Sequence, residues 1–356
     1  MGSEESALVW EQMGLDVLAG DFDRLFPSYS FDGEAVLADI MGGQLWEAVK
    51  KIFGGISGAV SFQKEEFRVL FFTILVLGVA AALFSNFADL FRDHQVSDIA
   101  FYFVYLLLIT VLLKFFAQTA GAVKEILNGV VTFVRLYIPT YILAVGGASG
   151  AASATVYYQL FLVAVCLIEW GYLTVLVPFV YVYVLLTVIN GIWMEEKLAL
   201  LLELSEKVIK GSLKFSVWLI TGFSLLQSMI SPVIDSLQSS AVKKALSAMP
   251  GIGGLTEGMF EMVLGSAVLV KNSLGLFMTF TLIALCAVPV LKMAMTACVI
   301  KFCAALIGIV SDKRLTNCAS RVGEGNLMLL RIALTSVGMF MIQVAVISYS
   351  TGHAVR

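Results

Sequence analysis

Glu169 is the one charged residue in an apolar run from Tyr157 to Ile189. A carboxylate near the centre of a membrane span costs about 2.5–3.5 kcal/mol on insertion scales, so it must face protein or water. Either it holds an ion, or it marks a break between two helices. Other chemistry is scarce. "GASG" at Gly147–Gly150 resembles the serine motif of intramembrane proteases, which need a histidine base within the membrane. The chain has only His94 and His353, in a polar loop and in the tail, so the small residues read as a helix-packing surface. There is no HExxH, no nucleotide loop and no paired-carboxylate motif, so neither an enzyme nor a bound cofactor is expected.

A second polar place is "AMPGIGGLTEGMFEMVLGSAVLVKNSLG", Ala248–Gly275. Pro250 stops a helix, and Gly253 and Gly254 release the backbone from helical geometry. Thr256 is placed to cap a new helix. Gly265 and Ser266 allow close approach of another helix. Lys271 and Asn272 stand at the entrance to the next apolar run, with Glu257 as a polar partner. Asn272 could equally cap the helix that follows. Irregular backbone at membrane depth is tolerated only where protein or a water-filled cavity surrounds it; the alternative is an exposed loop between spans.

These residues need a scaffold, and composition names it. The 356 residues are 59% hydrophobic and 14% charged. A soluble domain averages about a quarter charged. With a mean hydropathy of +0.92, the chain reads as a polytopic membrane helix bundle, all-α. The net charge of −3 gives no basic footprint for nucleic acid, and the bilayer is the first expected partner. The five cysteines show no metal spacing. The opening "MGSEESALVWEQ" lacks the basic start and apolar core of a signal peptide.

Residues 1–66 read as an acidic, amphipathic region, expected to be extracytoplasmic. Val36, Leu37, Ile40, Met41, Leu45, Trp46, Val49, Ile52 and Phe53 fall at helical spacing, with Asp32 as N-cap. Spans need roughly 20 apolar residues. Candidates in a first group, 67–190, are Val69–Phe87, Ile99–Phe116, Val130–Ala148 and Tyr157–Ile189. A second group, 215–349, holds Phe215–Ile230, Leu274–Ile309 and Leu327–Ser348 and includes the glycine-rich segment 249–275. Tyr157–Ile189 and Leu274–Ile309 exceed one crossing and contain Pro178 and Pro289. Each is two helices or one kinked helix, for seven to nine spans.

Between the groups, 191–214 reads as an interfacial amphipathic helix, its lysines placing it on the cytoplasmic side. Asp312, Lys313 and Arg314 look cytoplasmic too, but two crossings within Leu274–Ile309 would put them outside. Residues 350–356 form a tail. Pro139–Pro178 and Pro250–Pro289 share a spacing of 39 residues, each followed by small residues and an apolar run. This is a candidate internal repeat, of the kind that builds transporter sites from broken helices.

"AMPGIGG", "VLGSAVLVKNSLG", "VPVLK" at Val288–Lys292, "SDKRL" at Ser311–Leu315 and "IPTYILAVGGASGAASA" together resemble the stage III sporulation protein AE family. The likeness covers most of residues 30 to 350. It implies a multi-pass protein of the mother-cell membrane around the forespore. Implied partners are the other membrane proteins of its operon, ring-forming subunits and an ATPase, in a channel or feeding apparatus. Contacts to that channel or its subunits are expected from Pro250, Gly253, Gly254, Glu257, Gly265, Ser266, Lys271, Asn272, Gly275, Glu169, Asp312, Lys313 and Arg314. A secondary transporter built around Glu169 and 249–275 is the alternative.

Overall fold

The computed structural model describes the backbone of residues 33–62, 64–90, 94–149, 163–192, 197–247, 253–310 and 313–352. Every element among these residues is helical: α1 (Gly33–Met41), α2 (Leu45–Phe62), α3 (Lys64–Leu90), α4 (His94–Ser149), α5 (Val163–Ile192), α6 (Ala199–Ser247), α7 (Gly253–Val310) and α8 (Lys313–Gly352). The molecule is an all-α membrane bundle, as its composition requires.

Among the described residues five helices are long and apolar enough to cross a bilayer: Glu65–Leu83, Phe101–Arg135, Val163–Ile192, Asn272–Ile309 and Lys313–Ala345. Seven to nine were expected; two of the expected runs share one helix, and Phe215–Ile230 is not among the five. Ile99–Phe116 and Val130–Ala148 both lie in α4, whose 56 residues extend about 84 Å at 1.5 Å per residue. The intervening "AQTAGAVKEILNG" holds no proline to stop it. Likewise α6 passes without a break through Lys214, so the expected interfacial helix is the first part of a helix that continues to Ser247.

Both proline-bearing runs stay whole. Pro289 lies inside α7. In α5 a π-helical turn, Tyr172–Leu176, sits just before Pro178, and the Val177 N–H donates to the Tyr172 carbonyl. A proline ring clashes with the carbonyl four residues earlier, and widening that turn is one way a helix absorbs the clash.

The N-terminal amphipathic region is two helices rather than one. Gly43 takes φ 75°, a left-handed conformation that favours glycine, and so ends α1. The Lys51–Asp39 ion pair, 2.6 Å, closes the angle between α1 and α2. Val36, Leu37, Ile40, Ala48 and Ile52 bury their side chains, and both helices pack on α7. Trp46 and Phe53, expected on the same face, point outward instead. Asp32 lies outside the described residues.

α7 and α8 form the central antiparallel pair, joined near residues 311–312. α4 runs alongside α8 in the same direction. Arg314 lies over the Phe101 ring, and Phe133 meets Phe340 edge-on. α5 returns against α4, where the Tyr105 hydroxyl donates to the Val188 carbonyl at 2.8 Å. α3 packs on the end of α7, with Phe71 stacked on Phe302. α6 lies along α8, its Lys210 level with Glu324. The start of α6 and the α7–α8 junction therefore sit at one end of the bundle. The run Leu274–Ile309, expected as two crossings or one kinked helix, lies within the single helix α7.

Candidate functional site

Two polar clusters stand out among the described residues of the bundle. The first is built on "RVGEGNLMLLR", Arg321–Arg331, in α8. Arg321, Glu324 and Arg331 stand three and seven residues apart, which places them on one helical face. The Glu324 carboxylate accepts from Lys301 Nζ of α7 at 2.5 Å. It also meets Arg331 Nη1 at 3.3 Å and Lys210 Nζ of α6 at 4.0 Å. Lys210 bonds Glu206 one turn back as well. Three helices thus share one carboxylate, whose side chain is 18% exposed.

The glycines on either side of Glu324 make this packing fit. A Cβ on Gly323 would lie 2.8 Å from Lys301 Cγ, where the lysine stem crosses α8. A Cβ on Gly325 would lie 2.6 Å from Val184 Cγ2 of α5. Both contacts are closer than a real Cβ tolerates, so a side chain at either place would push a helix away.

The second cluster surrounds Glu169 on α5, one turn before the π-helical turn. Glu169 is 0% exposed, and neither carboxylate oxygen has a hydrogen-bond partner among the described residues. Ser336 of α8, Cys286 of α7 and Tyr172 of its own helix stand close to it. The Ser336 and Tyr172 hydroxyls likewise have no hydrogen-bond partner among the described residues. Buried polar groups are hydrogen-bonded in the great majority of proteins. Glu169, Tyr172 and Ser336 depart from that pattern on two facing helices, α5 and α8.

The other expected residues are placed as follows. Pro250 and Asp312 lie outside the described residues. Gly253, Gly254, Glu257, Gly265, Ser266 and Lys271 belong to α7, which begins at Gly253, so their backbone is helical. Asn272 is exposed well inside that helix and caps nothing. Gly275 is buried and its carbonyl accepts from Thr279 Oγ1 at 2.9 Å. Lys313 is exposed. The Arg314 guanidinium carbon lies 3.8 Å from the centroid of Phe101, a cation–π contact. Glu169 meets α7 at Cys286, about three turns beyond Gly275.

Sequence reasoning overlooked the Glu324 cluster. Its signal was the three-and-seven spacing of Arg321, Glu324 and Arg331 next to an apolar run, with lone lysines at 292 and 301 in the preceding one. Lys292 pairs with Glu66 of α3 at 2.8 Å.

A family model described as stage III sporulation protein AE matches residues 31–351. The chain is also similar to a curated protein named stage III sporulation protein AE from Bacillus subtilis (strain 168). The two are 20% identical over 335 residues, 86% of this chain and 84% of that one. No solved structure matches. The family match spans nearly the whole chain, so the chain belongs to the stage III sporulation protein AE family, a sporulation family.

Proposed function

We propose that this member of the stage III sporulation protein AE family is a multi-pass membrane subunit of the channel complex between mother cell and forespore. It sits in the mother-cell membrane around the forespore and serves forespore development after engulfment. The observation that carries this reading is the extent of the match, residues 31–351, which takes in all five candidate spans. The outward faces fit such a place. Val69, Phe72, Val76 and Leu83 of α3 and Phe103 and Leu106 of α4 are exposed apolar side chains, suited to lipid or to neighbouring membrane subunits. Its partners are the other membrane proteins of the operon, the ring-forming subunits and the ATPase, and segment 249–275 supplies contacts to them.

A second reading, a transporter, is favoured by the unpartnered carboxyl of Glu169. One experiment separates the two. The protein is isolated from sporulating cells with its native neighbours, from wild type and from a Lys271→Gln, Asn272→Ser variant. The channel reading expects the operon proteins to co-purify with wild type. The variant should lose them and stop after engulfment, at unchanged membrane level. A protein isolated alone, which moves a small solute in proteoliposomes, would establish the transporter instead. Normal spore yield from the variant would remove 249–275 from the function.

A further inference from the structure

A groove of 570 Å³ runs between α6 and α8, beside the Glu324 cluster. Its polar end carries Lys210, Lys214 and Arg331. Its wall is Leu213, Val217 and Trp218. We infer that this groove binds an anionic phospholipid, with the phosphate at Lys214 and Arg331 and the acyl chains along Val217 and Trp218.

The local charge calls for an anion. Lys210, Lys301 and Arg331 share two carboxylates, Glu324 and Glu206. Lys214 adds a further cation with no ion pair among the described residues. Cations therefore outnumber carboxylates here, and a phosphate would complete the set.

The position calls for a lipid rather than a soluble anion. α6 changes character at the groove. Glu203, Glu206 and Lys207 lead up to Lys210 and Lys214 at its polar end, and the apolar run Phe215–Ile230 follows. That change marks the level of the headgroups. Trp218, 76% exposed, stands one turn past Lys214, where an indole has its apolar face in lipid and its N–H near water. Basic pockets between membrane helices take anionic headgroups on these terms. A free phosphate would satisfy the cations and leave the apolar wall unused. The inference rests on the membrane and not on the channel.

The test uses the full chain in nanodiscs of phosphatidylcholine. Brominated phosphatidylglycerol or brominated phosphatidylcholine is added, and Trp218 fluorescence is read as the difference between wild type and Trp218→Phe. Half-maximal quenching should come at a several-fold lower mole fraction of the glycerol lipid. Lys214→Gln should reduce that preference about fivefold, the factor one lysine carries beside an anionic lipid surface. Lys214→Arg should keep it. Lys214 is exposed, so the substitution leaves the bundle intact, and an unchanged thermal midpoint checks this. Equal quenching by the two lipids, or an unaltered preference in Lys214→Gln, overturns the proposal. So does relief of quenching by soluble glycerol phosphate, which would assign the groove to a free anion.

Discussion

At Glu324, cations from three helices converge on one carboxylate. At Glu169, level with a point about three turns further along α8, a carboxylate stands near two hydroxyls and a thiol, and no cation among the described residues faces it. The two groups share a bundle and a chemical type. They differ in what surrounds them and in exposure, with the Glu324 side chain at 18% and Glu169 at 0%. Charge at the first place joins helices. At the second place the Ser336 hydroxyl of α8 approaches the carboxylate without a well-formed hydrogen bond, and no charge pairs with it. A buried carboxyl without a hydrogen-bond partner is a cost to the fold.

Glu324→Gln should break the comparison most strongly. It leaves Lys301, Arg331 and Lys210 without their shared anion. Removing one partner of a buried pair costs about 3–5 kcal/mol. Partial exposure of Glu324 lowers the expected loss to about 2–4 kcal/mol. Thermal unfolding in detergent would show it. Removing Lys301 as well, as Lys301→Met, should restore part of the loss, because the two effects are not additive for residues in contact. A full-sized further loss in the double variant would mean that the pair does not couple.

Glu169 should respond in the opposite sense. Glu169→Leu replaces an unpartnered polar group with an apolar one of similar size. It should stabilise the bundle by about 1–2 kcal/mol, within the range seen when buried ionic groups give way to packed side chains. Spore yield should fall nevertheless. Glu169→Gln should leave stability near wild type and lower spore yield too. A destabilised Glu169→Leu protein would mean that Glu169 has a structural partner, and the contrast with Glu324 would vanish.

These two sites were unequally legible in the sequence, for a physical reason. A lone carboxylate in an apolar run announces itself, since nothing local explains its cost. Glu324 has a local alternative, because it lies near other charges and outside the run Leu327–Ser348. Its partners come from α6 and α7, and spacing within one helix cannot show a contact with another. The helical membrane class followed from composition. Helix boundaries did not. Pro178 and Pro289 signal a helix end or a kink, yet α5 continues through a π-helical turn just before Pro178 and α7 continues through Pro289. The apolar spacing of Val36–Phe53 reads as one helix, and Gly42–Gly43 break it into α1 and α2. Asn272 looked like a cap only while a helix was expected to begin there.

The smallest effect is expected at the surface of α6, where an ion pair of the same chemical type as Glu324–Lys301 stands in water. Glu203 meets Lys207 at 2.9 Å, with side chains 59% and 72% exposed. The hydrogen bond from Lys207 holds the Glu203 carboxyl below its usual value of 4.5, and the lysine charge adds to this. A carboxyl lowered in the folded state stabilises above its unfolded value and loses that contribution as pH falls through the folded one. Any stabilisation by Glu203 is therefore whole at pH 7 and at pH 6, and declines below about 4.5. Water and salt screen the pair, and two long side chains must be held still to form it. Glu203→Gln should shift the thermal midpoint at pH 7 by no more than the spread of replicate melts. Wild type and variant should converge as pH falls through the lowered value of Glu203. A loss at pH 7 comparable to that of Glu324→Gln would show that the surroundings of the carboxylate do not set its worth, and would remove the basis for distinguishing the two clusters inside the bundle.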